Sequence, residues 1–326
     1  MRSLRLTKFG TPDVLEVADI PDPVPDTGNV LVKIMAASIN PSDVKNVAGA
    51  FNTALPRTPG RDYAGVVAAG PDEWLGKRVF GCGGWDLGFA VDGTHAQYIA
   101  VPAQSLTEIP LTLDFRDATT LGVTFVTALH GLSEAGGVTP GEVVAVIGAQ
   151  GGVGSAVVQI AKSLGAVIIA IDRKPVDPEH VIAHLVDHAI NISQDDPVDK
   201  VLEITGKLGA NLVYNAVGGP LLEIGLRLLS KRGRQIAISS VGERRVSFDL
   251  VDFYHKQAHL IGVDSMSLDS NGCGVYLKEI AAMVTSGTIT VPQIDSHVYS
   301  LETATQAYEQ MSSGRSDGRV VLMIGQ

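Results

Sequence analysis

The chain has 326 residues, of which 45% are apolar and 18% are charged, so it has enough apolar material for two folded domains and is too apolar to be disordered. Its formal net charge of −10 repels phosphate backbones and anionic lipid surfaces, so neither nucleic acid nor a membrane is an expected partner. Cys82 and Cys273 lie far apart in the sequence, without the spacing of a metal or redox pair, which predicts free thiols in a reducing compartment.

The first part of the chain, up to about residue 110, predicts a β-rich domain. Short apolar or alternating runs, such as "NVLVKIMAASI" and "AQYIAVP", are separated by clusters of Pro and Gly, such as "PDPVPDTG". That pattern is typical of short strands joined by long loops.

From Gly141 onward, apolar strands alternate with helical segments. The predicted strands are "EVVAVIGA", "AVIIAID", "NLVYNAVG", "RQIAISS" and "AHLIGVDS", and the predicted helices are "GVGSAVVQIAKSLG", "PEHVIAHLVDH" and "PLLEIGLRLLSKRG". Runs of Val and Ile separated by helices indicate βαβ units around a parallel sheet, and about six strands complete a doubly wound dinucleotide fold.

The segment from about Met266 does not continue this alternation, and we expect it to return to the first domain. It predicts a helix, a short strand, a second helix and a closing strand: "GVYLKEIAAMVTSG", "HVYSL", "ETATQAYEQMSSG" and "GRVVLMIG". The N-terminal residues lack the pattern of a secretory signal, and no run approaches the length of a membrane span, so a cytoplasmic location is expected.

The strongest functional motif is a glycine-rich turn between a predicted strand and helix. A tight turn, close approach of the backbone to a pyrophosphate, and packing of the helix on the strand each require a glycine. The free N–H groups and positive end of the helix would then hold the phosphates. The candidate cofactor-binding residues are Gly148, Gly151, Gly152, Val153 and Gly154.

The next predicted strand ends at Asp172, where a carboxylate would accept hydrogen bonds from the hydroxyls of the adenosine ribose and favour NADH. Arg173 and Lys174 follow at once, and their charges would favour the 2′-phosphate of NADPH if Asp172 turned away. The sequence leaves the choice between NADH and NADPH open.

The chain resembles the medium-chain dehydrogenase/reductase superfamily, in its zinc-free quinone oxidoreductase and enone reductase branch, the relatives of zeta-crystallin. The resemblance extends over nearly the whole chain, through the blocks "INPSDVKNVAGAF", "TPGRDYAGVV", "GVTFVTALHGL", "GAQGGVGSAVVQIAK", "NAVGG" and "DGRVVLMI". It implies a β-rich GroES-like catalytic domain over residues 1–123, a Rossmann domain over 124–264, and a return segment over 265–326 that completes the catalytic domain, with the substrate entering between the two domains.

The resemblance also implies that zinc is absent. Where the alcohol dehydrogenases of the superfamily hold zinc with a Cys and a Gly-His-Glu, this sequence has Asn40, Arg61 and Asp62. An arginine cannot ligate zinc, and two cysteines cannot form a four-cysteine structural site. No metal is therefore expected.

The resemblance places Asn40 and Lys45 in the substrate site as catalytic residues, where they would stabilise negative charge on a substrate oxygen as hydride arrives. It places Thr127 against the nicotinamide and Arg319 at the cofactor's diphosphate. Asn215 and Val217 of "NAVGG" would close a strand at the carboxyl edge of the sheet, where ligands of such sheets bind.

The expected activity is transfer of hydride from NADH or NADPH to a quinone or an α,β-unsaturated carbonyl, without zinc. Two alternatives remain: an enoyl-thioester reductase of the same fold, and a dinucleotide-binding structural or sensor protein without turnover. The expected partners are a small electrophilic substrate and a second copy of the chain. The resemblance implies this homodimer, and "AHLIGVDS" would form it by pairing as an exposed last strand.

Overall fold

The computed structural model describes residues 1–314 and 316–325. Its strands are β1 (Arg2–Leu6), β2 (Leu15–Asp19), β3 (Asn29–Ser38), β4 (Asp62–Ala69), β5 (Arg78–Cys82), β6 (Tyr98–Pro102), β7 (Thr107–Glu108), β8 (Val143–Ile147), β9 (Val167–Asp172), β10 (His188–Asn191), β11 (Ala210–Asn215), β12 (Leu229–Ala237), β13 (His259–Gly262) and β14 (Val321–Met323). Its helices are α1 (Pro41–Val47), α2 (Phe115–Ala118), α3 (Val123–Glu134), α4 (Gly152–Ser163), α5 (Pro197–Ile204), α6 (Leu222–Leu228), α7 (Leu250–His255), α8 (Ser270–Thr285) and α9 (Ala304–Ser313).

The chain divides into two compact units. The first comprises Met1–Val126, Ser265–Gly287 and Val291–Gln326, and the second comprises Thr127–Asp264 with the short segment Thr288–Thr290. None of the described helices combines the length and the apolar composition needed to cross a lipid bilayer.

The first unit is built on an antiparallel sheet with the strand order β14-β3-β4-β5-β7, and β6 pairs with β3. Alternate residues of β3 point into its core, because successive side chains of a strand face opposite sides. Val30, Val32 and Ile34 are fully buried, whereas Lys33 between them is exposed. The pairing of β14 with β3 brings the return segment into this sheet.

The second unit contains a parallel sheet with the order β10-β9-β8-β11-β12-β13 among its described residues. Counted from β8 as the first strand, the order is that of a doubly wound dinucleotide fold, in which the chain reverses direction across the sheet between β8 and β11. Strand β8 is buried along its length from Val144 to Ile147, as a central parallel strand must be. The predicted fold class, a doubly wound cofactor domain with a β-rich second domain, is confirmed.

Three predicted elements differ. The segment "PEHVIAHLVDH" forms turns followed by β10 instead of a helix. Ile182 is its one fully buried side chain before β10 begins, which gives a helix little apolar burial. Residues 297–301 form no strand, and only Tyr299 makes an isolated bridge, to Leu322.

The third difference is the end of α6, which stops at Leu228 although the apolar helical pattern continues. Leu229 already pairs with Ala210 of β11, so β12 begins without an intervening loop. The residues after Leu228, for which the apolar pattern predicts further helical turns, therefore form sheet hydrogen bonds instead.

Candidate functional site

The glycine turn lies between β8 and α4 and has the tight geometry that its sequence predicts. Gly148 has φ +80°, a conformation that favours glycine, and its N–H donates to the carbonyl of Ile171 at 2.8 Å. Gly154 packs directly on it, since a Cβ on Gly154 would lie 2.0 Å from the carbonyl oxygen of Gly148. Any side chain at Gly154 would therefore push α4 away from β8.

The N-terminus of α4 offers backbone donors to a ligand. Gly151 is the N-cap, no side chain caps the helix, and the N–H of Ser155 donates back to the Gly151 carbonyl at 2.8 Å. The N–H groups of Gly152, Val153 and Gly154 precede that first helical bond and are the groups that a helix start leaves without internal partners. Positioned at the carboxyl end of β8, these residues fit the pyrophosphate of a dinucleotide.

Asp172, at the end of β9, lies beside the same turn. Its carboxylate accepts a hydrogen bond from the backbone N–H of Gln150 at 3.2 Å. Burial raises the pKa of the Asp172 carboxyl to about 6, although the N–H groups of Gln150 and Ala149 lower it. Arg173 is exposed. The acceptor thus faces the turn, while the neighbouring cation faces solvent.

This environment predicts a pH-dependent choice of cofactor. As pH falls through about 6, the Asp172 carboxyl takes up a proton, loses its charge, and becomes a poorer acceptor for ribose hydroxyls. We expect the Kd for NADH to rise relative to the Kd for NADPH between pH 7.5 and 5.5, roughly tenfold for 1.4 kcal/mol of lost interaction. Fluorescence titration with each dinucleotide measures the ratio.

The control is Asp172→Ser, because the 2′-phosphate of NADPH titrates in the same pH range. Any pH dependence of the ratio of the two Kd values that remains in Asp172→Ser comes from the 2′-phosphate. At a fixed pH, this variant should also bind NADPH better, relative to NADH, than the parent protein does. If the ratio of affinities is the same in both proteins, and Arg173→Ala strongly weakens NADPH binding, then Arg173 and not Asp172 selects the cofactor.

Asn215 is the last residue of β11, and Val217 follows it, on the other side of β8 from Asp172. The buried side chain of Asn215 holds its own turn: its Oδ1 accepts from the N–H of Val217 at 3.1 Å and of Gly218 at 2.8 Å. Val217 lies close to the glycine turn, because its Cγ2 is 3.1 Å from the position of a Cβ on Gly148. Asn215 therefore shapes the edge of the site, and Val217 lines it.

Thr127 lies on α3 within the second unit and is 6% exposed. Its carbonyl accepts a hydrogen bond from the hydroxyl of Tyr214, a fully buried residue of β11, at 2.8 Å. This bond fixes the start of the unit against the strand that ends at Asn215.

In the first unit, Asn40 lies within a buried charged cluster. Its Nδ2 donates to Asp62 at 2.8 Å, and its Oδ1 accepts from Nη2 of Arg319 at 2.7 Å. Arg319 is 6% exposed and lies 3.8 Å from Asp62. Asn40 and Arg319 thus bind each other and lie against Asp62. Their expected contacts with a substrate oxygen and with a diphosphate stay predictions.

Two aspartates of this cluster are difficult to ionise. Burial raises the pKa of the Asp43 carboxyl to about 7, even though the N–H of Asn40 donates to it at 2.7 Å. Burial also raises the pKa of Asp62, against the opposing charge of Arg319. The second oxygen of Asp62 accepts from the N–H of Val123 at 2.8 Å, so this carboxylate is held on both sides.

These side chains do not fit a zinc ion. Arg61 has only N–H donors, and the amide oxygen of Asn40 already accepts from Arg319. No group of three or more His, Cys, Asp or Glu side chains suited to a metal occurs within residues 1–314 and 316–325.

Lys45 lies in the last turn of α1, where its side chain is exposed and makes no ion pair with any described residue. Its carbonyl accepts from the N–H of Ala50 at 3.0 Å. The ammonium is thus available to a ligand, unlike the amide of Asn40.

Comparisons with known proteins agree with this architecture. The "Alcohol dehydrogenase GroES-like domain" family matches residues 26–111, and the "Zinc-binding dehydrogenase" family matches residues 152–281. A zinc-type alcohol dehydrogenase-like protein of Schizosaccharomyces pombe is 38% identical, over 89% of this chain and 87% of its own length. The human quinone oxidoreductase is 30% identical, over 99% of this chain and 98% of its own length.

A solved structure of the quinone oxidoreductase from Pseudomonas syringae superposes with a TM-score of 0.83 at 26% identity, covering 99% of each chain. The chain belongs to the medium-chain dehydrogenase/reductase superfamily. Within it, the chain falls in the quinone oxidoreductase branch, and it is an oxidoreductase. One matching family and one relative have zinc in their names. In this chain, Asn40 and Arg61 do not offer the side chains that bind zinc.

Two features of the first unit were not apparent from the sequence. One is the bond from Arg319 to Asn40, across 279 positions of the chain. The other is the meeting of Cys82 and Cys273, whose buried free thiols share a hydrogen bond that raises the pKa of Cys82. Local spacing carries no signal for either contact, because both depend on the return of residues 265–326 to the first unit.

Proposed function

We propose that the protein transfers hydride from NADH or NADPH to a quinone or an α,β-unsaturated carbonyl without using a metal. The observation that carries the proposal is the glycine turn, which joins β8 to the uncapped N-terminus of α4 and is flanked by Asp172 and Val217. The likeness to quinone oxidoreductases over nearly the whole chain supports the choice of substrate.

The residues of the second unit would hold the dinucleotide, which when bound supplies the hydride. The N–H groups of Gly152, Val153 and Gly154 would bind its pyrophosphate, and Asp172 would accept from its ribose hydroxyls. Thr127 and Val217 would border the cofactor, whereas Asn215 would act by keeping the turn of residues 215–218 in shape.

In the first unit, Lys45 would stabilise the substrate oxygen. An ammonium donor would oppose the negative charge that develops on this oxygen as hydride reaches the carbon skeleton. Asn40 would position Asp62 and Arg319 and thereby keep the start of α1 in place.

The test is to measure oxidation of NADH and of NADPH in parallel against quinones, enones, enals and an enoyl thioester, with and without a strong chelator. We expect turnover of quinones or enones that the chelator leaves unchanged, and elemental analysis without stoichiometric zinc. Loss of both zinc and activity on chelation would contradict a metal-free reaction. Turnover of the thioester alone would identify a thioester reductase, and binding without oxidation of any acceptor would identify a non-catalytic protein.

A homodimer is the proposed assembly. Strand β13 is the last strand of the parallel sheet and pairs only with β12 among the described residues, and Leu260 on it is 39% exposed. An unpaired strand edge of this kind can pair with its twin across a two-fold axis. We expect light scattering to give about twice the chain mass of 34.2 kDa.

A charge placed on that edge should prevent the pairing, so Leu260→Lys is expected to run as a monomer. Val275→Lys is the matched control, because Val275 is 67% exposed on α8, in the other unit. A monomeric parent protein, or a Leu260→Lys variant that stays dimeric, would contradict this assembly.

A further inference from the structure

Arg61, the residue before β4, is a buried cation with an unused donor. Its side chain is almost completely shielded, with the residue 2% exposed. Nε donates to the carbonyl of Gly83 at 2.9 Å, and Nη1 donates to the hydroxyl of Ser42 at 3.3 Å. Nη2 is buried and has no hydrogen-bond partner among the described residues.

The neighbouring carboxylates do not use this donor. The charge of Arg61 lowers the pKa of both Asp43 and Asp62, so the three groups are near one another. Asp62, however, is hydrogen-bonded to Asn40 and Val123, and no described carboxylate lies within ion-pair distance of Arg61. Leaving a buried charged donor without a partner destabilises the folded state, which makes such a group in a native structure a candidate for ligand binding.

The surroundings of the guanidinium are aromatic. Its Cζ lies 5.6 Å from the centre of the Phe89 ring, and that ring meets Phe51 edge to face at 5.2 Å. Ser42 is half-buried and contributes a hydroxyl beside the guanidinium. A flat, conjugated molecule with a negatively charged oxygen matches this combination of a ring surface, a hydroxyl and a cationic donor.

We propose that Nη2 of Arg61 binds an anionic oxygen of the substrate. This inference rests on the proposed function and adds a substrate-binding residue that is distinct from Lys45. The oxygen is either the carbonyl oxygen that becomes an enolate or a phenolate as hydride arrives, or a carboxylate that the substrate carries permanently.

Arg61 undergoes no covalent change. When bound, the dinucleotide would supply the hydride and be oxidised to NAD+ or NADP+. The hydride would form a new C–H bond on the substrate, the π electron pair of the double bond would move onto the conjugated oxygen, and water would supply the proton that completes the reduced product. The guanidinium keeps its own protons, since an arginine stays charged in proteins. It acts as a fixed positive charge beside the substrate oxygen.

The oxygen must displace a neighbour to reach Nη2, because this atom is covered in the structure. The ring of Phe89 lies against the guanidinium and belongs to the segment 83–93, in which Trp85 and Val91 are half-exposed. Removal of this ring should open a path to the guanidinium, so Phe89→Ala is expected to retain or strengthen anion binding.

The first measurement uses binding alone. Wild-type protein without dinucleotide is titrated with benzoate and with benzamide, which differ in charge but little in shape, and the affinities are compared by calorimetry. We expect benzoate to bind at least about tenfold more tightly. Equal affinities in the wild-type protein would overturn the proposal. Because no turnover is involved, this result is independent of whether the protein reduces quinones or enones.

The second measurement uses two variants and a matched control. Arg61→Gln can still donate to the Gly83 carbonyl but loses the charge, and Arg61→Lys keeps the charge but loses the planar donors. Both should lose the preference for benzoate, more completely in Arg61→Gln. Arg78→Met is the control, because Arg78 also lies against a phenylalanine, Phe115, at 4.8 Å and donates to a backbone carbonyl of the same unit. A folded Arg61→Gln protein that keeps the benzoate preference would overturn the proposal.

Turnover then distinguishes the two sources of the anionic oxygen. If the oxygen becomes charged during the reaction, Arg61→Gln should lower kcat on a neutral naphthoquinone by about a hundredfold, with KM little changed. If the substrate carries a carboxylate, kcat/KM should fall only for a carboxylated naphthoquinone and not for its methyl ester. Either pattern supports the binding of an anionic oxygen by Arg61, and unchanged kinetics on all three substrates would contradict it.

Discussion

Gly154→Ala is expected to abolish dinucleotide binding at concentrations that saturate the parent protein. The added Cβ would lie 2.0 Å from the carbonyl oxygen of Gly148 and 2.9 Å from Cα of Ala149. Both contacts are with backbone, which cannot rotate away, so α4 must move off β8. Forcing a methyl group into such a packed contact typically costs about 1–3 kcal/mol of stability. The N–H groups at the start of α4 would move with the helix and would no longer point at the pyrophosphate.

The measurement is fluorescence titration with NADH and NADPH, together with a melting curve. Gly272→Ala is the matched control, since Gly272 also lies in the first turn of a helix, α8, but its Cβ would contact only side-chain atoms, at 3.3 Å and beyond. That substitution should be neutral or stabilising, because alanine favours the helix. Full binding by Gly154→Ala would show that the turn does not hold the cofactor.

Lys45→Met is expected to lower the turnover number about a hundredfold to a thousandfold, the usual effect of losing one preorganised donor. Its exposed ammonium makes no ion pair with described residues, so the substitution should not destabilise α1. Only interactions that strengthen in the transition state speed chemistry, and the affinity for the dinucleotide should therefore stay unchanged. A quinone, which is intrinsically electrophilic, should suffer less than an enone.

Stopped-flow oxidation of the reduced cofactor by each acceptor measures this effect, and Lys33→Met, an exposed lysine on β3 of the same unit, is the control. If enone turnover is unchanged, Lys45 is a surface lysine. The double variant with Arg61→Gln is also informative: if both cations act on one oxygen, its loss of rate should be smaller than the product of the single losses.

The strand-turn-helix segment of the second unit was predictable from the sequence because its signals are local. Gly148, Gly151 and Gly154 lie within one strand-turn-helix segment. Gly148 has φ +80°, and a Cβ on Gly154 would lie 2.0 Å from the Gly148 carbonyl oxygen, so both of these positions favour glycine for local reasons. The fold class followed from the alternation of apolar strands and helices for the same reason. The boundary between α6 and β12 was predicted poorly, because β12 begins at Leu229 directly after the helix. There the hydrogen bonds of the sheet, and not the helical spacing of apolar residues, determine the structure.

The substrate half depends on contacts that no local pattern reveals. The resemblance brought Asn40 to attention, but the partners of its amide, Asp62 and Arg319, lie 22 and 279 positions away. The unused donor of Arg61 was equally hidden, since an arginine in a sequence gives no sign of which of its N–H groups are paired. The contact of Asn40 with Arg319 forms only when the return segment joins the sheet of the first unit through the pairing of β14 with β3.

The bond between Arg319 and Asn40 also sets an order of events during protein synthesis. A ribosome makes the chain from its N-terminus, and domains generally fold as they are completed. All residues of the second unit, 127–264 and 288–290, are joined to the chain before Arg319 is added. In the first unit, β3 cannot pair with β14, and Asn40 cannot accept from the guanidinium of Arg319, until the end of synthesis. During this period of synthesis, the Asp62 carboxylate of the first unit lacks the opposing charge of Arg319. The parallel-sheet unit, which comes later in the sequence, is the first that can reach its native form.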